Sequence, residues 1–125
     1  MALQYHQAMV HYLRKDYTFA DVGSVLTMGE IPAGSVILKP LSGVDVQVAF
    51  NAATTNTVDM GTSADPNLYG TALAAGSIAF VPLDEAVSMK VAADTTITVS
   101  PAETGTASTA GAATAVLAFI PPTTS

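Results

Sequence analysis

The sequence predicts an all-β fold, an antiparallel sandwich or barrel with an N-terminal arm. Short apolar runs recur, several of them alternating with a period of two. Glycine, proline and small polar residues separate the runs at a spacing of roughly 8–12 residues, the spacing of antiparallel sandwiches and barrels. No stretch after Val22 keeps a helical period, and strand–helix alternation of the nucleotide-binding kind is absent.

The arm spans residues 1–22, and residues 23–125 form a single β domain. The arm holds both histidines, two of the four basic residues and three of the four tyrosines, Tyr5, Tyr12 and Tyr17. Tyr5, Met9 and Leu13 lie four apart, with Val10 and Tyr17 extending the stripe, so helical spacing is only partial. Two readings are open. Tyrosines give contact area at low entropic cost, which suits docking on another surface. The same segment also suits a strand or helix packed on its own domain.

From Gly23 the elements follow in order. Ser24–Met28 is a short β-like run. Ile31-Pro32-Ala33-Gly34 is a turn, with proline presetting φ and glycine tolerating a positive φ. Ser35–Lys39 is a strand, stopped by Pro40 and Gly43. In Val44–Phe50, residues Val44, Val46, Val48 and Phe50 point one way while Asp45 and Gln47 point the other, which predicts a half-buried strand. Residues 51–56 are a polar loop and Thr57–Gly61 a short strand. Residues 62–70, with Asp65-Pro66-Asn67, are a loop or a single helical turn. Leu73–Gly76 leads into a strand at Ser77–Val81, followed by a turn at Pro82–Ala86. Val87–Val91 and Thr95–Val99 alternate, the second helped by β-branched residues. Residues 100–111 form a long loop, and Ala113–Ile120 is a final apolar strand. That makes about eight strands, with glycine and proline at the corners of a Greek-key or jelly-roll layout.

A chain of 125 residues is one ordinary domain, and an apolar share of 50% argues against disorder. The net charge is −6, and only Lys90 is basic after Lys39. No basic stripe is available, so nucleic-acid binding is not expected. The absence of cysteine excludes disulfides, thiolate zinc sites and cysteine catalysis. The N-terminal residues show no apolar core of a secretory signal. The longest apolar run, Ala115–Pro122, is far shorter than the about 20 residues of a membrane helix, so a soluble protein with no membrane partner is expected.

Catalytic and metal sites are poorly supplied. His6 and His11 are five apart and would not share a helix face, and no third histidine joins them. Asp84 and Glu85 are adjacent and read as a solvated turn. Asp59, Asp65 and Asn67 offer oxygen ligands without the spacing of a calcium loop. No serine lies in a nucleophile elbow, and no phosphate-cradling glycine motif occurs. The reading is of a protein that is not an enzyme and needs no cofactor or metal. With so many alanines the core gains less from burial than a leucine-rich one would. Oligomerisation through the arm or the apolar C-terminal strand would compensate.

Several segments carry a resemblance. They are Tyr5-His6-Gln7 with Arg14-Lys15-Asp16, Ile31–Ile37, Val44–Phe50, Asp59-Met60-Gly61-Thr62 with Asp65–Tyr69, and Ala115–Ile120. Together they resemble small tailed-bacteriophage capsid decoration (cement) proteins of jelly-roll-like fold, over roughly residues 5–120. The motifs are turn and strand chemistry of low specificity, with no catalytic residue to carry over. The resemblance implies a homo-oligomer, commonly a trimer, made in the host cytoplasm. It would bind the major capsid protein on the outside of the expanded capsid and stabilise the shell by multivalent clamping. On this reading the arm is a tether. Tyr5, Tyr12, Tyr17 and Phe19 would anchor it, and Arg14 and Lys15 would pair with acidic capsid groups. The alternative is another virion β-module, such as a head-fibre base, tail component or receptor-binding domain. A lack of tryptophan weighs against a glycan platform. A cupin-like enzyme would need clustered histidines near the strand ends.

Overall fold

The computed structural model describes residues 9–122. Nine strands follow in order: β1 (His11–Thr18), β2 (Leu26–Ile31), β3 (Val36–Ile37), β4 (Gly43–Val48), β5 (Thr55–Thr62), β6 (Gly70–Ala74), β7 (Ala79–Pro82), β8 (Thr95–Thr104) and β9 (Ala112–Ile120). Two short 3₁₀ turns, Phe19–Asp21 and Lys39–Leu41, are the only helical elements among the described residues. The first sheet has the order β1-β9-β4-β7, with β3 also paired to β9, and the second has the order β2-β8-β5-β6. All pairings are antiparallel.

β3 and β4 are one strand interrupted by a turn. Both lie along β9, β3 opposite Phe119 and Ile120 and β4 opposite residues 112–116. Pro40, which has no N–H to give a ladder, sits in the 3₁₀ turn between them. The buried hydroxyl of Ser42 repairs the gap. It donates to Leu38 O at 2.8 Å and accepts from Ala118 N at 2.9 Å. Counting β3–β4 as one strand, the sheet orders are those of a jelly roll of eight strands. β1, β7, β2 and β6 remain open edges, so the molecule is a sandwich and not a closed barrel.

The core lies between the sheets. β4 and β9 bring Val44, Val46, Ala113, Ala115, Leu117 and Phe119 from one side, and β5 and β8 bring Val58, Met60, Ile97 and Val99 from the other. Each set recurs every second residue, because successive side chains leave a strand on opposite faces. Ala113 and Ala115 of β9 are small members of this core, and Phe50, Tyr17 and Tyr69 are its aromatic ones.

Three local expectations change. Val48 is 46% exposed rather than inward. A bulge between Val46 and Val48 shifts the β4–β9 register and breaks the alternation before Phe50 returns to the core. Val87–Val91 is not a strand, since only Lys90 forms an isolated bridge, to Val36. β8 continues through residues 100–104, so the loop expected there begins at Gly105. β9 is central in its sheet. It is flanked by β1 on one side and by β3 and β4 on the other, and its inward side chains are buried.

Candidate interaction surface

Residues 11–18 run as the edge strand β1, paired along its whole length with β9 from His11–Phe119 to Thr18–Ala112. The strand period sorts its side chains. Tyr12, Arg14, Asp16 and Thr18 face outward and are exposed, while Leu13, Lys15 and Tyr17 share the inner face. Tyr17 is 2% exposed and its ring lies 5.7 Å from that of Phe50. Its hydroxyl is buried and finds no hydrogen-bond partner among the described residues, and burial pushes the phenol well above its ordinary range. Of the residues expected to form a tether, Tyr12 and Arg14 therefore stand on the outer sheet face. Lys15 is half-buried on the inner side, and Tyr17 belongs to the core. Phe19 sits in the 3₁₀ turn that ends the strand, 41% exposed. Tyr5 lies outside the described residues.

The outer face carries a chain of polar contacts across three strands. The Arg14 guanidinium donates to the Asp16 carboxylate at 3.3 and 3.4 Å. The Thr114 hydroxyl of β9 donates to Asp16 Oδ1 at 2.7 Å. Gln47 Nε2 of β4 donates to Thr114 Oγ1 at 3.1 Å and to Asp45 Oδ2 at 2.8 Å. The hydrogen bond from Thr114, followed by that from Arg14, holds the Asp16 carboxyl below its ordinary value. A shallow depression of about 530 Å³ lies over this row, lined by Arg14, Asp16, Gln47 and Thr114 among others. β9 contributes Ala112, Ala113 and Thr114 to its lining. Such a surface offers both signs of charge and hydrogen-bonding groups at fixed strand spacing, which suits contact with another protein.

The other candidates fold back on the chain itself. The His11 ring packs 5.7 Å from that of Phe119, and His6 lies outside the described residues. Asp59 Oδ1 accepts from Ala72 N at 2.7 Å, supporting the left-handed φ of 51° at Ala72. Asp84 Oδ1 accepts from Thr71 N at 3.0 Å. Asp65 uses its backbone carbonyl to accept from Thr62 N and Leu68 N. Among the described residues no three His, Asp or Glu are grouped to hold a metal ion. A second depression of about 410 Å³ lies at one end of the sandwich, lined by Ser63, Tyr69, Ser88, Lys90 and Asp94 among others. Burial pushes the Tyr69 phenol up.

Reasoning from the sequence missed Asp45, Gln47 and Thr114. The signal was the period-two alternation of His11–Thr18, which competes with the four-residue spacing of Tyr5, Met9 and Leu13.

No protein-family model and no curated protein matches the chain. Two solved structures are similar. A chain of the cyanophage Pam1 capsid asymmetric unit aligns with a TM-score of 0.68 at 20% identity, covering 90% of this chain and 85% of that one. A chain of the acidic stable capsid structure of Helicobacter pylori bacteriophage KHP30 aligns with a TM-score of 0.65 at 14% identity, covering 93% and 91%. At these identities the likeness is one of fold, and the sandwich described here is a fold found in two bacteriophage capsid structures.

Proposed function

We propose that the protein is a bacteriophage virion structural protein that decorates the outside of the capsid and stabilises it. The observation that carries this reading is the match of nearly the whole sandwich to chains from two phage capsid structures. Fold alone does not assign function. The surface adds to it: a row of paired polar groups runs across β1, β9 and β4, of the kind that suits binding to protein. In this reading the exposed side chains of β1, Tyr12 and Arg14 foremost, contact the major capsid protein. Several copies bound to one lattice clamp it with an avidity above that of any single contact.

The test is immunogold labelling of purified virions with antibody raised against the protein, together with mass spectrometry of the particles. Label over the head of intact particles is the expected result. Label confined to the tail would place the protein in a tail or fibre assembly, and absence from the particle would overturn the virion reading.

A further inference from the structure

The edge of a sheet leaves every second residue's N–H and C=O without a ladder partner, and β1, β2, β6 and β7 are the edges of this sandwich. Three of them are blunted. β2 carries a bulge between Thr27 and Gly29. On β6 the N–H of Thr71 donates to Asp84 Oδ1 at 3.0 Å and that of Ala72 to Asp59 Oδ1 at 2.7 Å, so side chains occupy its backbone. β7 spans only Ala79–Pro82 and ends in a residue without an N–H.

β1 differs. It pairs with β9 without a bulge from His11 to Thr18, and Phe19 N continues the register by donating to Gly111 O at 3.1 Å. Bonded and non-bonded pairs alternate along an antiparallel ladder. The bonded pairs are therefore Tyr17–Ala113, Lys15–Ala115 and Leu13–Leu117. The N–H and C=O groups of Tyr12, Arg14 and Asp16 point away from β9, at a repeat of about 6.8 Å. Among the described residues they have no hydrogen-bond partner. Thr18 N, the next in the series, donates to Asp21 Oδ2 at 2.9 Å, which ends the free edge. Leu13 and Lys15 stand half-buried on the inner face of the same strand. Lys15 forms no ion pair among the described residues, where Arg14 and Asp16 make the single one.

We infer that this edge takes an extended segment of a partner polypeptide as an added strand. The segment sets an acidic side chain beside Lys15 and an apolar one two residues away, beside Leu13. Unpaired N–H and C=O groups at strand spacing are complementary to an extended backbone, and the side chains that alternate along it supply specificity. A half-buried ammonium without a counter-ion is complementary to a carboxylate. A second copy of β1 fits less well. The two antiparallel registers that overlap most of the strand set Arg14 opposite Arg14 or Lys15 opposite Lys15, and like charges directly opposite are destabilising. The inference rests on the reading of β1 as the strand that contacts the capsid, and adds its backbone to the side chains of Tyr12 and Arg14.

The experiment compares Arg14→Pro with Arg14→Ala in binding to virions that lack the protein, followed by co-sedimentation. Both remove the guanidinium, and only proline removes the outward N–H, which the β1–β9 ladder does not use. Both should keep the wild-type circular dichroism. Arg14→Pro should bind at least about tenfold more weakly than Arg14→Ala, because a carbonyl of the partner is left unsatisfied. Lys15→Glu should weaken binding by a comparable factor. In the isolated chain, amide exchange should be fast at Tyr12, Arg14 and Asp16 and slow at Leu13, Lys15 and Tyr17. Slow exchange at all of them, whether residues 1–8 or a second copy cover the edge, overturns the inference. A folded Arg14→Pro chain that binds as Arg14→Ala does overturns it too, and unchanged binding by Lys15→Glu removes the acidic side chain from it. A wild-type chain that does not bind the particles contradicts the capsid reading and this inference together. Binding that is indifferent to the proline contradicts this inference alone.

Discussion

Asn51 and Thr109, far apart in sequence, are joined by two hydrogen bonds. Thr109 N donates to Asn51 Oδ1 at 2.8 Å, and Asn51 Nδ2 donates to Thr109 Oγ1 at 3.2 Å. One side-chain amide thereby fixes the β8–β9 connection to the β4–β5 connection. Ala110 N also donates to Asn51 Oδ1, at 3.2 Å, and Asn51→Ala should lower stability by about 1–3 kcal/mol, the net value of three such bonds. The same variant should speed amide exchange at Thr109 and Ala110 while leaving β9 protected. Unchanged exchange at both amides would show that the connection is held by other contacts.

Gly111, where that connection enters β9, has a φ of 150°, and a Cβ added there would lie 2.5 Å from the Phe50 ring. Gly111→Ala therefore forces both an unfavourable backbone and a shift of a core aromatic. A loss of about 2–4 kcal/mol is expected in denaturant unfolding. A loss below about 0.5 kcal/mol, the ordinary range of a surface change, would mean that Phe50 yields freely.

Tyr17 gives a prediction in alkali. Burial raises its folded-state pKa above the ordinary 10.0, so its contribution to stability is fully present below pH 10.0 and declines as pH rises further. Tyr17→Phe removes the ionisable group and the buried unpartnered hydroxyl together. At neutral pH the variant should be as stable as wild type or more so by up to about 1 kcal/mol. Above pH 10.0 its melting temperature should fall less steeply than that of wild type. Parallel melting curves in alkali would place the phenol in contact with solvent.

Asp16 gives the opposite sign. Its pKa is lowered from 3.8, first by the Thr114 hydroxyl and then by Arg14, so the favourable contact is present above pH 3.8 and is lost as pH falls through the lowered value. Thr114→Val should move the Asp16 midpoint upward in a carboxyl carbon NMR titration. A midpoint unmoved by the substitution would remove the cross-strand hydrogen bond from the description of this face.

Much of this architecture is legible in the residues. Alternation in Val44–Val46 and Thr95–Val99, where burial on one face imposes a period of two, and the apolar run Ala113–Ile120 mark three central strands. Pro32-Ala33-Gly34 marks a turn by fixing φ at one position and freeing it at another. The bulge that turns Val48 outward is a matter of register with β9, which no local pattern states. Val87–Val91 alternates without becoming a strand because its pairing is confined to the short segment Gly34–Ile37: Ile37 N donates to Met89 O and Val91 N to Ser35 O, which makes one isolated bridge between Lys90 and Val36 and no longer ladder. The candidate surface is harder to read still. Asp16, Thr114 and Gln47 are brought together by the order β1-β9-β4, and this adjacency is a property of topology.

The measurement that tests the capsid reading most directly compares virions with and without the protein during heating. DNA release from particles is followed by the fluorescence of a DNA-binding dye. A stabilising decoration protein should make the particles lacking it release DNA at a lower temperature, with release restored by adding back the purified chain and not by a chain carrying Tyr12→Glu and Arg14→Glu. Identical release curves for the two kinds of particle, with the protein labelled on the head, would contradict a stabilising role.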